Sequence, residues 1–490
     1  VEKLRRLHTL GSVSDILSWD EQVNLPSGAA TQRAGQMSAM AELHHAEASA
    51  PQLGELIGNL ETELSSLDVD QQVVLRQARK DYDRAVRLPA EFVREKAELC
   101  SLAFHAWSEA KPRSDFRSFS PFLQKQLELA KREAAYLGWG DRPYDYMLDL
   151  HDPGMSEAAI TPLFDELRRE LVPFAKQVVS SPVKPDAAFL RGFDVEQQRI
   201  FVTELVSKLG FDLSRGRIDV SMHPFCSGSG DDVRLTTRFH EDTPLDAIFS
   251  VVHEAGHGMY EQGLPVETLG TALSMAAGMG VHESQSRLWE NQVARSVGFW
   301  CHVEPQLRAR FPEQLAGIDS EALYLAINAV APTLIRIDSD EVTYNLHILL
   351  RYEIERRLFS GDLRMYELPS AWNEAAKELL GLEPANDGEG VLQDVHWSGG
   401  AFGYFPSYCL GNMLAAQLWY RLREELPDVE HRLASGDFPE ILGWLRRKVH
   451  CRARRVDLLG LTREATGAEL SPKSLLRYLR ERYAPLYLRS

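Results

Sequence analysis

Apolar residues recur every three to four positions over most of this chain, with stops where proline or glycine falls, and that rhythm predicts helix after helix. Pro26, Pro51, Pro89, Pro112 and Pro153 punctuate the first 180 residues. Ser27 to Ser49 carries Ala29, Ala30, Met37, Met40, Ala41 and Leu43 on one side, and Val73 to Leu88 repeats the habit. Glu91 to Ala110 does so with Phe92, Leu99, Phe104 and Trp107, large apolar members expected in a core. The period then changes to two. Arg217 to His223 and Asp232 to Phe239 alternate around a Ser/Gly loop, Cys226 to Asp231, which reads as a β-hairpin. Helical spacing returns from Thr243 to Gly263 through Leu245, Ile248, Phe249, Val252 and Met259, with Thr243 placed to cap and Pro244 at the first helical position. A small-residue run, Ala272 to Gly280, leads into a second helix at His282 to Asn291, expected to pack closely through Ala276, Ala277, Gly278 and Gly280. Further helices span Ser320 to Phe359, interrupted at Ile335 to Glu341, before a glycine-rich passage from Gly388 to Gly403 and the segment Gly403-Tyr404-Phe405-Pro406-Ser407-Tyr408. The pattern predicts a mainly α protein with one small antiparallel β-sheet.

Composition narrows the partners. The 490 residues suffice for a large core, and the net charge of −17, from 54 basic and 71 acidic residues, argues against nucleic acid and anionic membrane surfaces. Five dispersed cysteines form no C-x-x-C pair, so neither a disulfide framework nor a thiolate metal site is expected, and a reducing compartment is. No apolar run is long enough to span a bilayer and the start lacks a signal-peptide core, which predicts a cytoplasmic protein.

The chemistry lies in His253-Glu254-Ala255-Gly256-His257. Residues four apart on a helix lie about 40° apart around the axis and about 6 Å along it, so both imidazoles can converge on one ion. Glu254 stands about 100° round, beside the ion and free to take a proton from water. Without an ion, the motif would strand a carboxylate and two imidazoles in an apolar helix. A third ligand must come from elsewhere, because Glu261 sits another turn along. Glu283 is the first choice on the second helix, with His282 and Glu290 as alternatives. The hairpin ahead of the motif could offer a strand edge on which an extended peptide binds by backbone hydrogen bonds.

Six ordered motifs carry a resemblance: His223-Pro224-Phe225; Asp232-x-Arg234-x-Thr236; His253-Glu254-x-x-His257; His282-Glu283-Ser284-Gln285; Ile335-Arg336-x-x-Ser339-Asp340; and Gly390-x-x-Gln393-Asp394-x-His396-Trp397. Together with Ser18-Trp19-Asp20, Leu25-Pro26 and Gly403-Tyr404-Phe405-Pro406, they make the whole chain resemble the M32 family of metallocarboxypeptidases, the carboxypeptidase Taq type. Ser339, where that family usually has alanine, is the one departure. The resemblance implies a single catalytic domain over residues 1–490, similar in fold to the neurolysin and angiotensin-converting-enzyme group: elongated, nearly all helical, with a deep groove and a small sheet beside the metal. Residues 1–180 would form a helical wall or lid, 215–290 the hairpin and metal helices, and 320–410 the substrate-binding segments. It also implies Glu283 as third ligand to a zinc or cobalt ion, removal of single C-terminal residues with broad specificity, and a homodimer.

A carboxypeptidase must also bind the free terminal carboxylate, for which an arginine fork is the usual solution. By resemblance Arg234 and Arg336 are the candidates, with His396 and Tyr404 nearby and expected, with Glu254, as catalytic residues; Arg238, Arg287 and Arg351 stay open. Asp232, Thr236 and Tyr408 join them as expected substrate contacts, and a hydroxyl of Tyr404 or Tyr408 could steady an oxyanion. The rival readings are an oligopeptidase of the same fold and a catalytically silent helical peptide-binding protein.

Overall fold

The computed structural model describes residues Val1–Leu488, which form helices and one three-stranded sheet. The chain divides into two compact units: Val1–Ala85, Pro185–Asn328 and Leu414–Leu470 form the first, and Val86–Lys184, Ala329–Met413 and the described residues from Ser471 form the second.

In the first unit, helices Glu2–Val23 and Ala30–Ala48 pack on each other, while Pro51–Thr62 and Val69–Arg87 share a core of Leu53, Ile57, Leu75 and Ala78. The helix expected over Ser27–Ser49 is present, but its apolar side is not buried. Leu43 is 55% exposed, and Arg33 is the helix's buried residue, held by Asp20 and the Leu17 carbonyl. In the second unit, Ala90–Arg113 runs through Pro112 and packs on Phe116–Tyr136 around Phe92, Leu99 and Leu129. Phe104, expected in that core, is half exposed. Phe92, Leu99, Ala103 and Ala110 line the buried face, and residue 104 falls about 100° away from 103.

The sheet corrects the hairpin reading. Strands β1 (Gly216–Val220), β2 (Cys226–Ser229) and β3 (Asp232–Thr237) order as β1-β3-β2, with β1 parallel to β3 and β2 antiparallel to it. The sheet is therefore mixed. The stretch expected to be a loop is itself a strand, and the hairpin is β2–β3. Gly228 adopts φ +85, and a Cβ there would lie 2.0 Å from the Asp232 carbonyl oxygen, so only glycine permits this tight return. Central β3 buries Val233 and Leu235 and joins the following helix through a 2.7 Å hydrogen bond between the Thr237 and Ser250 hydroxyls.

Candidate metal centre

Helix Pro244–Glu261 carries the His-Glu-x-x-His string. Pro244 starts it and Asp246 lies in its first turn, although Thr243 makes no side-chain capping bond. Ile248, Phe249, Val252, Ala255, Met259 and Tyr260 are buried, so the helix is fixed by packing on most of its circumference. Gly256 sets the approach of the next helix, Met279–Arg287: a Cβ there would lie 2.6 Å from Ser286 Cα and 2.7 Å from the Gln285 carbonyl. The close contact thus uses a glycine inside the motif.

Ligand atoms of His253, His257 and Glu283 lie within 4.8 Å of one another. Glu283 Oε2 is 3.7 Å from His253 Nε2 and 3.4 Å from His257 Nε2, so both rings turn Nε2 inward. Their Nδ1 atoms face outward to partners. His253 Nδ1 meets Glu290 Oε2 at 2.8 Å, and His257 Nδ1 meets His282 Nδ1 at 2.5 Å. His282 Nε2 in turn meets Glu261 Oε1 at 2.8 Å. One assignment satisfies the outward contacts: His253 Nδ1–H donates to Glu290, His257 Nδ1–H donates to His282 Nδ1, and His282 Nε2–H donates to Glu261. Each inward Nε2 is then a free lone pair, the state a metal ligand requires, with an oriented ring behind it. Glu290 and His282, alternatives for the third ligand, back the two histidines instead, and Glu290 does so from a π-helical turn, Leu288–Val293.

The charges follow from the packing. Burial alone would raise Glu283, but the Arg287 guanidinium at 2.6 Å holds it well below the usual carboxylate range. Arg287, open as a substrate-binding arginine, is committed to Glu283 and to Glu290 at 3.2 Å. Burial, aided by the neighbouring imidazoles, pushes His257 down to about 3 and keeps it neutral. Burial, reinforced by the Glu283 and Glu290 charges and opposed by His253, pushes Glu254 up to about 7, where a carboxyl can both take and give a proton. Two imidazole nitrogens and one ionised carboxylate oxygen, each backed by a second hydrogen bond, suit a divalent metal ion.

Asp232 and Arg234 form a bidentate pair at 2.8 and 2.9 Å, and Arg234 and Arg217 lie 4.3 and 4.9 Å from the Trp19 ring. Thr236 is fully buried, and its hydroxyl accepts from Ser221 Oγ at 2.7 Å and Phe225 N at 2.9 Å, fixing the His223-Pro224-Phe225 turn.

The second unit gathers a different cluster. Arg336 Nε and Nη2 reach Asp394 Oδ1 at 3.0 and 2.9 Å, and its Nη1 donates to the Tyr344 hydroxyl at 3.2 Å. Arg351, fully buried, donates to Asp394 Oδ2 at 2.7 Å, to the His347 carbonyl and to Gln393 Oε1. Two guanidiniums thus share one carboxylate. His396 Nδ1 stands 3.9 Å from Asp394, and burial together with Arg336 pushes the ring down to about 4. Tyr404 packs on His396 at 5.5 Å and edge-on to Tyr408 at 5.3 Å, while the Tyr408 ring lies 5.2 Å from the Arg336 guanidinium.

Sequence reasoning gave no role to Glu355. It is fully buried and accepts from Trp397 Nε1 at 2.6 Å, Gly403 N at 2.8 Å and the Tyr144 hydroxyl at 3.0 Å. Its position among buried Ile348, Arg351 and Leu358 on one helix face was the available signal.

A helical protein with a small mixed sheet, and a motif helix whose two histidines meet a glutamate from a later helix, defines a metallopeptidase of the His-Glu-x-x-His plus Glu type. The family model described as "Carboxypeptidase Taq (M32) metallopeptidase" matches residues 1–483, and the chain belongs to that family. It is 42% identical over 500 residues to thermostable carboxypeptidase 1 of Thermus thermophilus, covering 99% of this chain and 98% of the relative. Carboxypeptidase 1 of Bacillus subtilis is 39% identical over 490 residues, with coverages of 99% and 97%. Among solved structures, the M32 carboxypeptidase from Deinococcus radiodurans aligns with a TM-score of 0.97 at 42% identity, covering 100% of this chain and 98% of that one. Metallocarboxypeptidase 1 of Trypanosoma cruzi gives 0.94 at 35% identity, covering 98% of each. No helix among the described residues is long and apolar enough to cross a membrane.

Proposed function

We propose that this chain removes single residues from the C-termini of peptides, with broad specificity, using Glu254 as general base beside a divalent ion held by His253, His257 and Glu283. The observation that carries the reading is the convergence of those three side chains next to a buried carboxyl poised near neutrality. An ion held there supplies Lewis acidity, lowering the pKa of water and polarising a peptide carbonyl. Glu254 takes the proton of the attacking water and returns it to the departing amine. Glu290, His282 and Glu261 hold the histidines in the ligating tautomer.

Broad specificity has support in β2. Phe225 O accepts from Thr236 N at 2.9 Å, so by the alternation of antiparallel pairs Cys226 turns its own N–H and C=O to the outer edge. The Cys226 thiol is pushed up by burial and by the Glu254 charge, which puts this edge within electrostatic reach of the base. A cleft of about 250 Å³ borders it, lined by Ser12, Asp15, Ser227 and Ser229. A peptide adding as a strand there is held by its backbone, whatever its side chains.

We assign the terminal carboxylate to Arg336 in preference to Arg234. Arg234 is matched one to one by Asp232, whereas Arg336 and Arg351 share Asp394 and leave their cluster with excess positive charge. Tyr404 or Tyr408 serves as hydroxyl donor to the developing oxyanion, and His396, neutral, as a further polar contact. The resemblance also implies zinc or cobalt and a homodimer, and the cysteine and hydropathy pattern a cytoplasmic location; metal analysis, sedimentation velocity and cell fractionation check these. The test of the activity is a digestion time course on a peptide and its C-terminally amidated twin, followed by mass spectrometry. A ladder of single-residue losses from the free acid alone is expected, and equal cleavage of both peptides refutes carboxylate recognition.

A further inference from the structure

The segment His450–Arg455 comes from late in the chain, meets the back of the metal centre and has no part in the chemistry proposed above. His450 is 1% exposed, and its Nε2 lies 3.1 Å from Gln285 Oε1, two residues beyond Glu283. Its ring stands edge-on to Tyr260 at 5.2 Å. Tyr260 stands edge-on to His282 at 5.1 Å, and its hydroxyl accepts from Ala277 N at 3.3 Å. Room for the His450 ring is reserved at Gly263, where a Cβ would fall 2.1 Å from His450 Nδ1. One turn on, Arg454 Nε donates to the Ala276 carbonyl at 3.0 Å, and Arg455 grips Asp70 through two bonds of 2.8 Å. Between these anchors Ala453 adopts φ 47, ψ −141, a conformation that non-glycine residues rarely hold unless their surroundings impose it.

Two of the anchors grip Ala276–Gln285, the stretch that delivers both Glu283 and His282. The helix in this stretch, Met279–Arg287, starts from an N-cap, Gly278, that offers no side-chain bond. We propose that His450 and Arg454 are positioning residues for the third ligand. They clamp Ala276–Gln285 against the motif helix, and the clamp sets where the Glu283 carboxylate stands relative to the two imidazoles. The proposal rests on the metal-centre reading above.

The test is zinc affinity of the full-length apo-protein, measured by competition with a chromophoric chelator, together with the visible absorption of the cobalt-loaded form. Groups that orient metal ligands are worth roughly 10- to 100-fold in affinity. Arg454→Met and His450→Leu should each weaken zinc by about that factor and alter the cobalt bands. Arg454→Lys keeps one donor for the Ala276 carbonyl and should stay within about threefold of the parent. If Arg454→Met does not fold, His450→Leu carries the comparison alone. Parental zinc affinity and cobalt bands in the folded variants, even with a lower unfolding temperature, would reduce the segment to ordinary packing and overturn the proposal. A parent chain that binds no zinc would instead remove the metal-centre reading beneath it.

Discussion

Glu254 and Glu355 are the same kind of group in two surroundings, one in each compact unit. Burial pushes both up to about 7. Glu355 is closed by three donors, an indole N–H, a backbone N–H and a phenol, which use its oxygens to fix both ends of the loop from His396 to Tyr404. Glu254 sits among charged and ligating groups, Glu283 and Glu290 raising it and His253 lowering it. A raised pKa therefore does not by itself separate a reacting carboxyl from a structural one. The neighbours do: fixed neutral donors mark Glu355 as a brace, and on the function proposed above the ligand cluster beside Glu254 marks it as the base.

The largest effect expected is on Glu254→Gln. Turnover should fall by about 10²- to 10⁴-fold, the range for a general base, with metal content and unfolding temperature unchanged. A variant with parental kcat would erase the distinction between the two glutamates. Next comes Arg336→Ala, in the same unit as Glu355. Loss of charged hydrogen bonds should lower kcat/KM on free-acid peptides by about 10- to 100-fold, with metal content unchanged. Glu290→Gln should then weaken metal binding by about tenfold, read by chelator competition, because His253 Nδ1 loses its charged partner.

The smallest effect is a pH dependence of stability from Glu355. Its folded pKa, about 7, exceeds the ordinary 4.5, so the folded state binds this proton more tightly than the unfolded chain does. Its contribution is full below pH 4.5 and is lost as pH rises through 7. Glu355→Gln cannot titrate there. Relative to that variant, the parent chain should lose a few degrees of Tm between about pH 5 and about pH 8. A constant difference across that range would contradict the assignment.

The two regions also differ in how far the sequence disclosed them. The motif helix was legible because its chemistry is a local spacing, four residues on one helix. Glu283 was legible as a candidate, but Glu290 and His282 lie on the same short stretch, and spacing alone cannot say which side chain points inward and which backs a ring. That depends on the approach permitted by Gly256, a tertiary fact. Strands β1 and β3 showed their alternation, but β2 is Cys-Ser-Gly-Ser and has no hydrophobic rhythm to read, so a mixed sheet passed for a hairpin. The Arg336–Asp394–Arg351 cluster joins residues 58 and 43 positions apart, and only the family motifs marked two of its members.

The central claim is that two imidazoles and the Glu283 carboxylate hold one ion. Anomalous diffraction at the zinc edge from metal-loaded crystals tests it most directly. The account predicts one peak per chain, about 2.0–2.2 Å from His253 Nε2, His257 Nε2 and a Glu283 oxygen. A peak elsewhere, or one touching the histidines while Glu283 stays turned to Arg287, would contradict it.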